Sequence, residues 1–387
     1  LLAHRASPYS AVARHCRTRI QYVSRRLGET QVSRSVEAGV FEPVETELAI
    51  DADDVVLATG SRPLALPGNP FAGALIDSTS VELNTLPSSA VIIGAGAVAL
   101  EFASLWNAAG CEVTLLIRRD RVLSTWERRA SMTLTRELKR RGVNVIARTA
   151  VDRVDTGANQ GHLHYRQGDS DEDRTAYGEV VLAAIGRVPN TDADWFRSSG
   201  LKLDERGYVT VDGYGRTNLD GVWALGDITP GHALAHRAFE QGITIAEKIA
   251  GADPKPVLDD TVPQVVFSFP EAASVGLTLD QAKAREDVVE PKETAYPMLS
   301  NARMLMSGEA IDDRLSGAFA NNPDMQVVLG VHIVSPIASD LIAEAEQLVG
   351  NRVPLADAAR LIHPHPTFSE TLGEALLKAD GRPLHTR

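Results

Sequence analysis

The sequence predicts an α/β protein built in blocks: a parallel sheet with crossover helices in mid-chain and an α+β block at the C-terminal end. Three observations carry this. Short apolar strands alternate with helical stretches between about residues 71 and 190. Pro63, Pro67, Gly68 and Pro70 cluster just before that alternation and mark a linker. After about residue 259 the rhythm changes to strands followed by two closing helices.

The first block, 1–70, opens with a basic stretch (Arg14, Arg17, Arg19, Arg25, Arg26) that reads as a helix. Acid-rich strands follow, the last ending in Asp54-Val55-Val56-Leu57-Ala58-Thr59-Gly60. In the second block, 71–190, Ala90–Ile93 is a short apolar strand and Val98–Ala109 a helix stopped by Gly110. Glu112–Ile117 is the next strand, rich in β-formers. A helix over Ser131–Arg141, ended by Gly142, leads to strand Val143–Ala147. Strand–helix–strand at this spacing implies a parallel sheet with right-handed crossovers. The third block, 191–258, carries strand Gly221–Leu225, the Gly226-Asp227 turn and a helix near Leu234–Ala250. The fourth, 259–387, has strands Gln264–Phe267, Gly317–Ala320 and Val327–Val334, then helices Ala338–Val349 and Leu355–Leu361.

Composition bounds the function. A chain of 387 residues suggests two to three domains. Apolar residues at 44% and charged residues at 23% exclude a disordered or collagen-like chain. The longest apolar run, Ala90–Leu100, is too short to span a bilayer and is broken by Gly94 and Gly96, so no membrane association is expected. A net charge of −12 argues against nucleic acid as a partner. Two cysteines, Cys16 and Cys111, are too few for a disulfide scaffold, which makes the cytoplasm the expected compartment. The chain begins Leu1-Leu2-Ala3-His4, with neither Met nor a secretory signal, and is expected to be a fragment, a processed product or a frame with a miscalled start.

Gly94-Ala95-Gly96-Ala97-Val98-Ala99 ends a strand and opens a helix. Glycines there allow a tight turn and close approach to a pyrophosphate, and the helix start offers free N–H groups. In this βαβ setting the turn predicts dinucleotide binding. An NAD site wants a carboxylate about 20 residues on, at the end of the second strand. That position is Ile117, and Arg118 and Arg119 follow it, a pair suited to the 2′-phosphate of NADP. NADPH is therefore the expected cofactor, with NAD the alternative.

Taken together, several stretches resemble the pyridine nucleotide-disulfide oxidoreductases, the FAD-dependent family that includes dihydrolipoamide dehydrogenase, glutathione reductase and mercuric reductase. They are Ala58–Pro63, Ile93–Glu101, Ala184–Asn190, Val222–Asp227, Ala235–Gly242, Phe269–Gly276 and His365–Glu370, in the family's order from about residue 35. The resemblance implies two Rossmann-like nucleotide-binding domains, an incomplete one for FAD and one for NAD(P), plus a C-terminal α+β dimerisation domain forming a homodimer. It implies that Thr59, Gly60 and Gly186 line the nucleotide sites. It implies that Asp227 binds the FAD ribityl chain, that the helix start at Ala235-His236 points at the flavin ring, and that Glu101 lies near nicotinamide and flavin.

His363-Pro364-His365-Pro366-Thr367-Phe368-Ser369-Glu370 has its own chemical reading. A carboxylate bonded to one imidazole nitrogen fixes the tautomer and raises basicity, as in catalytic dyads, although the residues alone favour a capped, structural histidine. The resemblance makes His365 the acid–base that handles a dithiol's proton, Glu370 its partner, and His363 a neighbour, serving the other subunit's site in the dimer. The family's first Gly-x-Gly-x-x-Gly and its two cysteines four residues apart are absent. Leu1–His4 resembles the stretch after the second cysteine, so those parts are expected upstream of Leu1. As written, the chain is expected to bind FAD poorly and not to reduce disulfides. The implied activity is that of dihydrolipoamide dehydrogenase, acting on a small disulfide or a lipoyl-domain substrate. The alternatives are an NADPH-dependent disulfide, mercuric or quinone reductase, and a non-catalytic nucleotide-binding homologue.

Overall fold

The computed structural model describes residues 13–20, 50–82, 84–157, 160–307, 314–322 and 325–385. In chain order the first elements are β1 (Ala13–Ile20), β2 (Ile50–Leu57) and β3 (Ser61–Pro63). Then come β4 (Leu75–Ile76), β5 (Ser89–Ile93), α1 (Ala97–Ala108), β6 (Glu112–Ile117), α2 (Arg128–Arg140) and β7 (Asn144–Ala147). Next are β8 (Thr149–Thr156), β9 (Gly161–Gln167), β10 (Arg174–Gly178), β11 (Val180–Ala183) and β12 (Arg187–Pro189). They are followed by α3 (Asp194–Ser198), β13 (Val222–Ala224) and α4 (Ala235–Ile249). The C-terminal part adds β14 (Gln264–Val266), β15 (Glu271–Gly276), α5 (Leu279–Lys283), β16 (Lys292–Pro297), α6 (Ala302–Ser307), β17 (Arg314–Asn322) and β18 (Met325–Ser335). It closes with α7 (Ala338–Gly350), α8 (Leu355–Ala358) and α9 (Glu370–Ala379). Two compact units result: Leu1–Ser61 with Pro189–Val257, and Arg62–Val188 with Leu258–Arg387.

The second unit contains a five-stranded parallel sheet in the order β4-β11-β5-β6-β7. Alternation along its strands sends side chains to opposite faces. Ala90, Ile92, Leu115 and Ile117 pack with Leu100, Ala103 and Trp106 of α1 and Leu134 and Leu138 of α2. Val91, Ile93, Leu116 and Val181 pack instead with Leu163, Tyr165 and Ala176, which belong to an antiparallel three-stranded sheet β10-β9-β8. The alternation of mid-chain strands and helices had left 148–178 unassigned. Its alternating Leu163 and Tyr165 point inward, while outward charges pair with one another, as Arg166 does with Asp152.

The same unit carries the C-terminal antiparallel sheet β14-β15-β18-β17-β16. Ala273, Val275, Val331 and Ile333 on it pack against Ile342, Leu348, Leu355, Leu372 and Leu376 of α7, α8 and α9. Helix α8 is a single turn rather than the expected Leu355–Leu361. Beyond it the chain tightens into three-residue turns, the Arg360 N–H donating to Asp357 O and the Leu361 N–H to Ala358 O.

The first unit differs from expectation at its start. Residues 13–20 of the basic stretch form a strand, not a helix, and pair antiparallel with β2. The register sets Arg14 opposite Asp54 and Arg19 opposite Asp51. Arg25 and Arg26 lie outside the described residues. β2 also pairs in parallel with β13, and Leu57, Val222, Ala224, Val209 and Ile228 form this unit's core with Phe196.

Candidate functional site

The mid-chain turn is a cradle. β5 ends at Ile93 and the chain turns through Gly94, whose φ of +139° favours glycine. A Cβ there would lie 2.2 Å from the Ala184 carbonyl oxygen and 3.4 Å from the Ala99 Cβ, so the turn needs both a glycine and a small residue at 99. Ala184, just after β11, is tied to β5 by its N–H donating to Ile93 O at 2.8 Å. A Cβ on Gly96 would meet nothing within 4 Å: open space lies over the backbone where a phosphate would sit. Helix α1 starts with Gly96 as N-cap, no side chain caps it, and its first turn carries no acid. Its N–H groups and dipole are left to an external anion. The residues present therefore fit a dinucleotide pyrophosphate. Gly186, φ +142°, lies in the same unit, and its carbonyl accepts the Leu64 N–H at 3.0 Å.

Beside the cradle, β6 ends at Ile117, which is fully buried, and Arg118 and Arg119 are exposed. Neither arginine forms an ion pair with a described residue. The nearest acid, Asp120, is bound to Arg121 at 3.0 Å. The Arg119 carbonyl accepts the N–H of Arg148, an exposed residue at φ +56°. Glu101, on α1, accepts the Phe267 N–H through Oε1 at 3.1 Å. Burial raises its pKa, and the Phe267 bond only partly offsets that.

The first unit holds the other predicted nucleotide residues. Thr59 Oγ1 donates to Asn190 O at 2.8 Å and Asn190 Nδ2 donates back to Thr59 O at 2.9 Å. Gly60, φ +70°, has open space at its Cβ position and accepts the Asn190 N–H. Asp227 follows β13 on a short turn, where Ser61 Oγ donates to its Oδ2 at 2.5 Å. Helix α4 begins at Ala235 without a capping side chain or an acid in its first turn, and Ala235 and His236 are exposed. An uncapped, solvent-facing helix start suits the negative charge of a reduced flavin. A cavity of about 710 Å³ in this unit, bordered by Asp53, Asp54, Arg216, Asp220 and Trp223, holds none of these groups.

The loop before α9 carries the histidines. His365 Nδ1 lies 2.8 Å from Glu370 Oε1, and the second carboxylate oxygen accepts the Thr367 N–H at 2.8 Å. An ionised carboxylate only accepts, so Nδ1 carries the proton and Nε2 is the basic nitrogen. The His365 side chain is 69% exposed, Glu370 19%. Burial pushes the Glu370 carboxyl up, but the Thr367 N–H and the His365 ring outweigh it and hold the pKa below the ordinary value. His363 Nε2 bonds Glu344 Oε1 of α7 at 2.8 Å. The Glu344 bond lifts the His363 pKa above the usual range against the opposing effect of burial. A third pair, His385 Nδ1 with Glu374 Oε1 at 2.7 Å, was not foreseen. Nor was Glu344, since no spacing rule links a residue on α7 to the loop before α9. Cys111 is buried, and burial, with Glu179 and Glu112 adding to it, pushes its thiol up to about 11, so it is an inert core thiol. Cys16 lies in β1, and its side chain is outside the described residues.

A βαβ cradle open to a pyrophosphate, a second uncapped helix start and a histidine–carboxylate pair on an antiparallel domain define a dinucleotide-binding α/β oxidoreductase. The family model for pyridine nucleotide-disulphide oxidoreductases matches residues 2–242, and the model for that family's dimerisation domain matches residues 262–376. The chain belongs to the pyridine nucleotide-disulphide oxidoreductase family. It is 35% identical to the dihydrolipoyl dehydrogenase of Cupriavidus necator over 339 residues, which is 87% of this chain and 70% of that protein. It is 34% identical to the dihydrolipoyl dehydrogenase of Bacillus subtilis, over 91% of this chain and 73% of that protein. The crystal structure of LpdA from Mycobacterium tuberculosis superposes with a TM-score of 0.78 at 28% identity, covering 87% of this chain and 71% of that one. The flavoprotein disulfide reductase RclA of Escherichia coli shares the fold, with a TM-score of 0.75 at 24% identity over 85% of this chain and 74% of that one. The dimerisation-domain match supports a homodimer. No helix among the described residues is long and apolar enough to cross a membrane.

Proposed function

We propose that the protein is an FAD-dependent pyridine nucleotide-disulphide oxidoreductase of the dihydrolipoyl dehydrogenase type, oxidising a dihydrolipoamide-like dithiol at the expense of NAD+ or NADP+. Two levels of support meet here. The relatives at 33 to 35% identity over most of the chain bear that activity in their names. The observation that carries the reading is the His365–Glu370 pair, because a solvent-exposed imidazole with its Nδ1–H held by a carboxylate is a proton acceptor awaiting a substrate.

The flavin, when bound, would pass electrons between a dithiol and the nicotinamide. The chain's own residues supply the rest. The 94–99 turn and the free N–H groups of α1 bind the nicotinamide dinucleotide's pyrophosphate. Asp227 and the start of α4 would hold the flavin's ribityl and ring, with Thr59 and Gly60 shaping turns of the same unit, and Gly186 would line the nicotinamide-dinucleotide unit. Glu101 would stand near the nicotinamide. His365 Nε2 removes the dithiol's proton, and Glu370 stabilises the imidazolium that forms. In the homodimer that histidine serves the other subunit's dithiol. The thiolate partner is not Cys111, whose pKa of about 11 keeps it protonated. Residues 1–70 and 191–258 are read as parts of the FAD domain, 71–190 as the NAD(P) domain and 259–387 as the interface domain. The cytoplasm is the proposed compartment.

The test is dihydrolipoamide-dependent reduction of NAD+ and NADP+ by protein purified from its native cells, with bound FAD and intact mass measured on the same sample. Bound flavin with turnover supports the proposal. A flavin-loaded protein that ignores dihydrolipoamide overturns it. A second reading, an NADPH-dependent disulfide, mercuric or quinone reductase, is favoured by Arg118 and Arg119, exposed and unpaired at the end of β6. A kcat/KM at least tenfold higher with NADH than with NADPH would eliminate that reading.

A further inference from the structure

The proposed chemistry leaves one half-buried titratable pair unused, its histidine two residues upstream of the proton acceptor. His363 is 9% exposed, and its Nε2 is 2.8 Å from Glu344 Oε1 on α7. The opposite side of the ring lies on α9. A Cβ added to Gly373 would come within 2.4 Å of His363 Nδ1 and 2.8 Å of its Cε1. Gly373 sits inside a helix and has no left-handed φ, so backbone conformation does not call for glycine. An interior helical glycine destabilises its helix relative to alanine. The ring is what the missing side chain makes room for. His363 is thus held from both sides, by a carboxylate on one helix and by bare backbone on another.

The clamp bears on His365 because the chain between them is short and stiff. Pro364 and Pro366 flank His365, and each fixes its own φ. Thr367 holds the downstream end, its Oγ1 donating to Pro364 O at 2.6 Å and its N–H to Glu370. The groups acting on His363 are Glu344 from α7, Glu370 from α9 and the Leu361 carbonyl from its own loop, and all three favour a proton on the ring. Glu374, one turn along α9, is occupied by His385.

We propose that His363, clamped between Glu344 of α7 and Gly373 of α9, is the positioning residue that holds His365 against Glu370. This rests on reading His365 as the proton acceptor, and the test separates the two. Ring-nitrogen NMR of the full 387-residue chain reports whether His365 Nδ1 carries the proton in a bond to Glu370. His363→Ala and Gly373→Ala should each lose that signature, with thermal melts confirming that the variants fold. Glu344→Gln keeps an acceptor for the Nε2–H and should retain it. In the His363→Ala background, Gly373→Ala should no longer lower the melting temperature, because the ring it collides with is gone. In the flavin-loaded enzyme, His363→Ala should lower kcat for the dithiol roughly tenfold or more while leaving the nicotinamide KM unchanged. A folded His363→Ala with an unaltered His365 signature overturns the clamp, as does a Gly373→Ala that harms both backgrounds equally. Full dithiol turnover by His365→Ala would instead sink the proton-acceptor reading, with the NMR result still judging the clamp.

Discussion

The start of α1 and the start of α9 solve the same problem in opposite ways. Every helix leaves its first N–H groups unpaired. At α1 the chain supplies nothing: no capping side chain, no acid, and open space above Gly96. At α9 no side chain caps the first turn either, but an acid stands in it: Glu370 takes the Thr367 N–H with one oxygen and His365 with the other. An empty helix start waits for a ligand from outside. A filled one has spent its electrostatics on its own side chain and can only present that side chain to something else. The first is a binding device and the second a chemical one, and neither could do the other's work.

The contrast can be broken at either end. The largest expected effect is at the empty helix. Gly94→Ala must adopt φ +139° and meet the Ala184 carbonyl at 2.2 Å, so nicotinamide binding followed by calorimetry should vanish and the melting temperature should fall. Next is the filled helix. His365→Ala should lower dithiol turnover by roughly 10²- to 10⁴-fold while nicotinamide binding is unchanged, as steady-state kinetics and titration would show. Cofactor choice comes third. Replacing Arg118 and Arg119 by alanine should weaken NADPH more than NADH by about tenfold or more, read from the ratio of kcat/KM values. Gly96→Ala sharpens the comparison, because it has open space and no positive φ. Stability should move by less than about 1 kcal/mol while nucleotide affinity drops, separating a glycine kept for the ligand from one kept for the fold.

A smaller effect concerns pH. His332 is fully buried in β18, with Nε2 3.2 Å from Leu277 O and Nδ1 2.7 Å from Ser274 Oγ. Burial lowers its pKa, against opposing contributions from Glu127 and the Leu277 carbonyl. The unfolded chain takes up a proton near pH 6.5 that the folded one refuses, so the unfolded state binds more protons and stability falls as pH drops below about 6.5. Thermal melts between pH 7.5 and 5 should show this decline, flattened in a His332→Gln variant that still folds.

The sequence made some of this easy to read and hid the rest for definite reasons. The run from β5 to β7 was legible because apolar strands and glycine-stopped helices alternate, and Gly94, Gly96 and Ala99 fall where that alternation needs a tight turn. His365 and Glu370 were legible because they lie five residues apart, one on the loop before α9 and one at its start. The β8–β10 sheet was obscured because its outward side chains, Asp152, Arg153, Asp155 and Arg166, look like a solvated segment until Arg166 is seen paired with Asp152 across the strands and Arg153 with Asp155 along β8. Strand β1 was misread because arginines three residues apart mimic a helical stripe, and its acidic partner strand lies far along the chain. Gly373 gave no signal, since its reason is an imidazole brought in by another loop.

Strand β11 has a consequence for the order of folding. It docks between β4 and β5 and brings Ala184 beside Gly94, yet the whole β8–β10 meander intervenes in sequence. Contacts between distant residues form late, because the loop entropy must be paid first. The strand–helix run from β5 to β7 can assemble from neighbours, whereas the nucleotide turn acquires its far wall only when β11 arrives. Pulsed hydrogen exchange during refolding should find the Leu115 amide protected before that of Val181. The binding turn would then be among the last parts of this unit to become competent and the first to loosen under denaturant.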